Sequence, residues 1–470
     1  MRSTAFVAPL LALLWALTAC SDDGQATTPD GAPAQDVQPT DGVPQADRAP
    51  PGPGTSCQVQ DTTVLFESTN GRKGWQPQIA WSDNQYGVAW AQEVEENSII
   101  KRKPVFIRVG KDGKALGQMI DLTQNPTLYT LGPPVVAGLS KGFAVIWSDT
   151  RAGNDTEDLY MLKLDENGQR LDGANVCTSP GCGEIKVTAG GGSTMPYLAR
   201  RAYVDIEGPT VVSDLALVWR DGRDVQTVPY PPYTSGRYDI YFKVLDPDTG
   251  ADKVSEKRVT TDNSEDQPGW PRIAYNQDKY AVVWQHSSGL SSHETFYAAL
   301  GTDGTVTESE QSLATASGLL SSSPDLVWAD KEFGIVFTEN PAANTGVVRF
   351  SRITTDGKLM AIQQVTGAGD PCTPAVAYNG KHYAITWQDQ CGKTGSKLVF
   401  ALVGADGTPL QANGKSCSGS SDPNCGVVTV SLDTDGTDAF PEMIGVNGRF
   451  AVTWMNAPKG RVYFSHVVCK

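Results

Sequence analysis

The sequence predicts an all-β fold, a seven-bladed β-propeller of four-stranded antiparallel blades, and three observations carry that prediction. A proline opens a short apolar run and an aromatic residue closes the next one. The pairs Pro77/Trp90, Pro134/Trp147, Pro271/Trp284, Pro374/Trp387 and Pro441/Trp454 are each thirteen residues apart. Pro324/Phe337 keeps the spacing with another aromatic, and Pro196/Trp219 stretches it by ten. Turn dipeptides recur within the copies at Asp112-Gly113, Asn167-Gly168, Asp303-Gly304, Asp356-Gly357 and Asp406-Gly407, as tight hairpins require. No segment carries a helical apolar period of useful length. Self-similarity at a period of about fifty residues is repeat architecture, and four short strands per copy make one blade.

Two segments of another kind precede the repeats. Arg2 and the apolar stretch from Ala5 to Leu17 form an export signal too short to span a bilayer. Leu17-Thr18-Ala19-Cys20 resembles the lipobox of bacterial lipoproteins. That resemblance implies cleavage before Cys20, with lipid on its sulfur and on the new amino terminus. Residues 21–56 hold seven prolines among Asp, Gln, Thr, Ala and Gly, which reads as a disordered tether. The propeller is then expected over residues 57–470.

Residues 271–315 show one blade in order. Arg272 to Tyr275 is a first strand, Tyr280 to Trp284 a second and Thr295 to Leu300 a third, and a fourth runs from the Asp303-Gly304 turn toward Leu313. The large aromatic that ends each second strand is expected to wedge between neighbouring blades. The last repeat lacks a fourth strand, because Cys469 aligns with Ala405, immediately before the Asp406-Gly407 turn. Val64 to Thr69 resembles the fourth-strand segments at 258–261 and 364–366. The amino-terminal strand should therefore complete the seventh blade, a Cys57–Cys469 disulfide taking the place of the turn and the ring hiding its edges.

Nine cysteines become eight once Cys20 is assigned to lipid, an even number in an exported chain. Position along the repeat suggests Cys177–Cys182, Cys372–Cys391 and Cys417–Cys425 as local pairs, leaving Cys57 with Cys469. Close pairs with no histidine nearby read as disulfides rather than zinc ligands.

Candidate chemistry lies in the loops after the tryptophans. Tyr230, Tyr233 and Tyr238 offer a contact surface for a sugar or a protein, or else a cover over the neighbouring blade. Two strings look alike: Trp147-Ser-Asp149-Thr-Arg151 continuing to Asp158-Leu-Tyr160, and Trp219-Arg-Asp221-Gly-Arg223 continuing to Asp239-Ile-Tyr241. They resemble a tryptophan-aspartate-arginine and aspartate-isoleucine-tyrosine repeat of exported bacterial propellers. The resemblance implies an arginine bridging carboxylates to hold a loop, and Asp149, Arg151, Asp221 and Arg223 are also the candidate binding residues. Asp433, Asp435 and Asp438 form an acidic cluster that could take calcium, as do Asp246, Asp248 and Asp252; neither fits an EF-hand loop. Gly138-Leu-Ser140-Lys-Gly142 matches a serine-hydrolase elbow as a string but falls in a strand-to-strand hairpin. The Ser-x-Asp-x-Gly-x-Thr-Trp turn of sialidases is absent, and no catalytic constellation can be assembled.

A formal charge of −15 excludes a nucleic-acid partner. The expectation from the sequence is a monomeric, lipid-anchored protein of the outer membrane. Its propeller would be non-enzymatic and without a cofactor, binding an envelope protein or a glycan. The alternative is a lipid-anchored glycan-active enzyme, sialidase-like or another glycosidase or lyase.

Overall fold

The computed structural model describes residues 57–469, except 124–131, 152–156, 205–209, 227–234, 262–266, 288–292, 314–319, 341–345, 432–436 and a few single or paired loop positions. The signal segment, the tether, Tyr230, Tyr233, Asp433 and Asp435 lie outside the described residues. All regular structure in the described residues is strand, arranged as seven four-stranded antiparallel blades. Blade 4, for example, runs Gly269–Tyr275, Lys279–Ser287, His293–Gly301 and Val306–Ser312. The first strand of each blade touches the first strand of the next, and the circle closes where Asp438–Val446 of blade 7 meets Gly74–Ser82 of blade 1. First strands therefore line a central channel. Fourth strands such as Asp252–Arg258 lie outermost and half in water.

Ring closure follows the sequence expectation with a shifted boundary. The closing strand is Cys57–Phe66, paired antiparallel with Arg461–Cys469, so Ser68 and Thr69 lie beyond its end. Cys57 stands directly opposite Cys469 and is bonded to it. The other three disulfides are the expected ones. Two of them staple insertions that interrupt a fourth strand. In blade 2, Arg170–Asp172 and Ile185–Lys186 both pair with Asp158–Leu164, and the Cys177–Cys182 loop lies between them. In blade 6, Pro409–Leu410 and Val428–Thr429 flank Cys417–Cys425 in the same way. Four disulfides fit an extracytoplasmic protein. No helix among the described residues is long and apolar enough to cross a membrane.

The periodic aromatics do pack between blades. Trp90 shares a cluster with Val462 and Phe464 of blade 7, Trp147 with Ala80 and Phe106 of blade 1, and Trp284 with Phe242 of blade 3. Phe337 does the same against Tyr297 of blade 4. Burying each such ring stabilises the ring of blades by roughly 2–3 kcal/mol. Below the channel mouth the first strands approach closely: a Cβ on Gly138 would fall 1.8 Å from the carbonyl oxygen of Trp81 in the preceding blade. The stretched Pro196/Trp219 spacing is a longer hairpin, with both Ser193–Val204 and Thr210–Asp221 extended to twelve residues.

The prolines do something the sequence reading did not anticipate. They do not open the first strands but sit inside them, at a β-bulge. The ladder shifts register between Trp75 and Gln78, Thr194 and Tyr197, Gly269 and Arg272, Ser322 and Asp325, Cys372 and Ala375, and Ala439 and Glu442. In all six the residue before the proline is left-handed: Gln76, Met195, Trp270, Ser323, Thr373 and Phe440 have φ between 47° and 52°. Proline suits this place because it has no N–H to offer a ladder that is already broken, on a strand whose channel-facing edge has no ladder partner. Blade 2 departs from the pattern, since Pro133 precedes Pro134 and its ring forbids a positive φ. There the strand, Val135–Gly138, begins only after the pair.

Candidate active site

The six bulges and the Pro133-Pro134 pair of blade 2 build the channel mouth. One residue past each proline stand Gln78, Val135, Tyr197, Arg272, Asp325, Ala375 and Glu442. Each is paired with the residue just before the periodic aromatic, for example Arg272 with Val283 and Glu442 with Thr453. They are therefore equivalent positions in one ring. Four of them converge with Gln78. Arg272 Nη2 donates to Glu442 Oε1 across the channel at 3.3 Å, and its Nε lies 3.5 Å from Asp325 Oδ1. The guanidinium sits 4.4 Å from the centre of the Tyr197 ring. Gln78 Nε2 donates to Glu442 Oε1 at 2.8 Å, and the Val376 N–H donates to Asp325 Oδ2 at 2.8 Å.

This cluster is under-satisfied. Both carboxylates are buried, yet Asp325 Oδ1 and Arg272 Nε lack a well-formed hydrogen bond. Burial pushes Glu442 up to about 7; Arg272 and Gln78 oppose that and the neighbouring Asp325 adds to it. Burial also raises Asp325, against Arg272 and its backbone donors. Above the cluster opens a cavity of about 240 Å³. Its wall includes the left-handed residues Gln76, Trp270, Ser323, Thr373 and Phe440, together with His293. His293 Nδ1 lies 2.7 Å from Ser287 Oγ, and burial lowers its pKa, so the ring is neutral at pH 7.

The site residues named from the sequence lie elsewhere. Asp149 accepts from Trp147 Nε1 at 3.3 Å and from the Arg151 N–H and Nε at 2.8 and 3.0 Å. Arg151 also pairs with Glu184, donates to Thr123 Oγ1 at 2.9 Å and covers the Tyr160 ring at 4.1 Å. Asp221 accepts from Trp219 Nε1 at 2.7 Å, from Ser193 Oγ at 3.1 Å and from Arg223 through Nε and Nη2 at 2.8 Å each. Arg223 reaches on to Glu256 at 2.8 Å and lies over Tyr241 at 4.2 Å. Burial pushes the Asp221 carboxyl up, but the Arg223 and Trp219 hydrogen bonds outweigh it and hold the acid below its usual range. The repeated string is thus a latch, with its hydrogen-bonding capacity committed. Tyr238 is half-buried beneath the Arg220 guanidinium, 3.5 Å from its ring centre. Asp438 accepts from Asn456 Nδ2 at 2.9 Å, Asp246 from the N–H groups of Asp248 and Thr249, and Asp252 pairs with Lys243 at 2.7 Å.

The cluster was missed because its members stand far apart in sequence and none belongs to a local motif. The signal that finds them is the repeat itself: the residue after each proline, read down the seven copies.

No family model matches the chain, and no curated protein matches it significantly. Solved structures similar to it include the subtype N11 neuraminidase-like protein of A/flat-faced bat/Peru/033/2010, at 8% identity over 88% of this chain and 95% of that one, with a TM-score of 0.39. The GH43_1 enzyme from Xanthomonas citri aligns at 12% identity over 64% and 93%, with a TM-score of 0.36. An exo-1,5-alpha-L-arabinanase from a bovine ruminal metagenomic library aligns at 12% over 63% and 99%, with a TM-score of 0.33. The expectation that the chain is not an enzyme is not kept, as the similar structures include enzymes. It rested on the outer loops alone, whereas Asp325 and Glu442 lie on first strands.

Proposed function

We propose that this chain is a lipid-anchored glycoside hydrolase whose site is the mouth of the propeller channel. The observation that supports this reading is the buried carboxylate pair, Glu442 and Asp325, bridged by Arg272 beneath an open cavity. The bridge through one guanidinium caps the separation of the two carboxylates at roughly 9 Å, below the upper limit for paired acids that cleave glycosidic bonds. Glu442, with a pKa of about 7, holds a proton near neutrality and serves as the general acid toward the leaving oxygen. Asp325 is the partner anion, favoured by the Val376 N–H and Arg272. Its Oδ1, left without a formed hydrogen bond beneath the cavity wall, is in this reading the base that activates water. Arg272 and Gln78 orient Glu442.

Cys20 carries the lipid in this reading, and residues 21–56 hold the catalytic body away from the outer membrane, within reach of envelope or extracellular glycans. Cys20→Ser should release the protein from the membrane fraction. The enzymatic claim is tested by incubating the full chain with a panel of aryl glycosides and polysaccharides and measuring released reducing sugar. Release by the wild type and none by Asp325→Asn supports it. No release by the wild type, or equal release by both, overturns it.

A further inference from the structure

The residues before the prolines occupy backbone that bulky side chains avoid. A non-glycine residue with positive φ is uncommon, and for a β-branched or large side chain it is a strained outlier. Six such residues stand at equivalent places, and five of them line one cavity. A purely structural bulge could be built with glycine at no such cost. Instead the chain places Trp270 and Phe440 there. They belong to blades 4 and 7, the two blades whose next channel residues, Arg272 and Glu442, touch across the channel at 3.3 Å. The two aromatics therefore flank the cavity from different blades, next to Arg272 and Glu442 respectively. Trp270 is half-exposed, and Phe440 is backed by Trp75, Ala439 and Met455.

The charge of the lining is equally informative. Arg272 is the one Lys or Arg among the described residues of the wall, and its guanidinium is already engaged by Glu442, Asp325 and Tyr197. Apart from the Glu442 carboxyl, the remaining polar side chains of the wall are amides, hydroxyls, the Trp270 indole and a neutral imidazole. An anionic sugar would meet the Glu442 carboxyl and no uncommitted cation there, whereas an uncharged sugar meets aromatic faces for its C–H surface and amides for its hydroxyls.

Resting on the hydrolase reading, we propose that Trp270 and Phe440 form the subsite that selects an uncharged terminal sugar, excluding uronic and sialic acids. The cavity of about 240 Å³ seats one sugar residue over the acids, so release should proceed from chain ends.

The test is calorimetric titration of the full chain carrying Glu442→Gln, which binds without turnover. The probes are methyl xyloside, arabinoside and galactoside against methyl glucuronide and a methyl sialoside. At least one neutral glycoside should bind tenfold or more tightly than either acidic one. Trp270→Ala and Phe440→Ala, each added singly, should weaken it at least tenfold, and Trp270→Phe should recover most of the loss. Thermal melting of each variant confirms that it is folded. Preference for an acidic sugar, binding unchanged in both alanine variants, or no binding by any probe overturns the inference. Neutral-sugar binding lost in the alanine variants, with no hydrolysis by the wild type, leaves the subsite standing and removes the hydrolase reading. Hydrolysis that survives both alanine variants with its preference intact does the reverse.

Discussion

Two arginine–carboxylate constellations in this molecule look alike on paper and behave as opposites. In the blade 3 latch, Asp221 is buried and its oxygens accept from a tryptophan, a serine, a backbone N–H and two guanidinium nitrogens. At the channel mouth, Arg272 also bridges two buried carboxyls, but at 3.3 and 3.5 Å, with Asp325 Oδ1 and its own Nε lacking a formed bond. Saturation holds the latch acid below its ordinary pKa, while burial without saturation carries Glu442 up to about 7. A fully satisfied network rigidifies, and a partly satisfied one keeps capacity for a ligand and a proton. Arginine beside aspartate is therefore not itself a sign of a site; the count of unmet bonds separates the two.

The widest separation between the regions should appear in turnover. Glu442→Gln and Asp325→Asn are each expected to lower kcat about 1,000-fold on a glycoside that the wild type cleaves. Both variants should remain folded by thermal melting, Asp325→Asn with the lower midpoint because Arg272 loses an anionic partner. Asp221→Asn should leave kcat within about twofold of wild type. A latch variant that abolishes turnover while still folded would break the division.

Stability should show the reverse order with a smaller effect. Asp221→Ala strands Trp219 Nε1 and takes one acceptor each from Arg223 and Ser193 Oγ, which should cost about 2–3 kcal/mol, read from the urea midpoint at constant slope. Asp149→Ala should cost a similar amount, because Arg151 keeps Glu184 and Tyr160 just as Arg223 keeps Glu256 and Tyr241. If Asp325→Ala costs more than either, the channel cluster is structural after all.

The same contrast explains what could be read from sequence. Spacing between Pro77 and Trp90, repeated down the chain, reports where strands begin and end, and a ring of blades is the way such repeats bury their faces. The Cys57–Cys469 closure was legible because an incomplete last copy needs a partner strand. The latch was legible too, because Asp221 and Arg223 lie two residues apart. Tyr197, Arg272, Asp325 and Glu442 are joined only by register, and a bulge decides which side of the strand faces the channel. Proline does not announce that the residue before it is left-handed; its usual neighbour is extended. Only the folded backbone shows Trp270 and Phe440 turned into the mouth.

The smallest and most discriminating effect concerns pH, because each region has one buried glutamate with a raised pKa. Glu442 is pushed to about 7 and Glu157 to about 8, burial being the leading cause in both. Glu157 is buried beside the latch acid Asp149, which adds to the rise, while Arg220 opposes it. In each case the folded protein holds a proton that the unfolded chain releases near 4.5. The associated stability is therefore fully present below that pH and is lost as pH rises through the folded value. Glu442→Gln should flatten the decline between about 4.5 and 7 and leave a residual slope up to about 8; Glu157→Gln should remove that upper part. Turnover tells them apart. Only Glu442 donates a proton to the leaving group, so kcat/KM should fall as pH rises past about 7 in both the wild type and Glu157→Gln. A basic limb that moves with Glu157→Gln would place the working acid beside the latch, and would exchange the roles of the two regions.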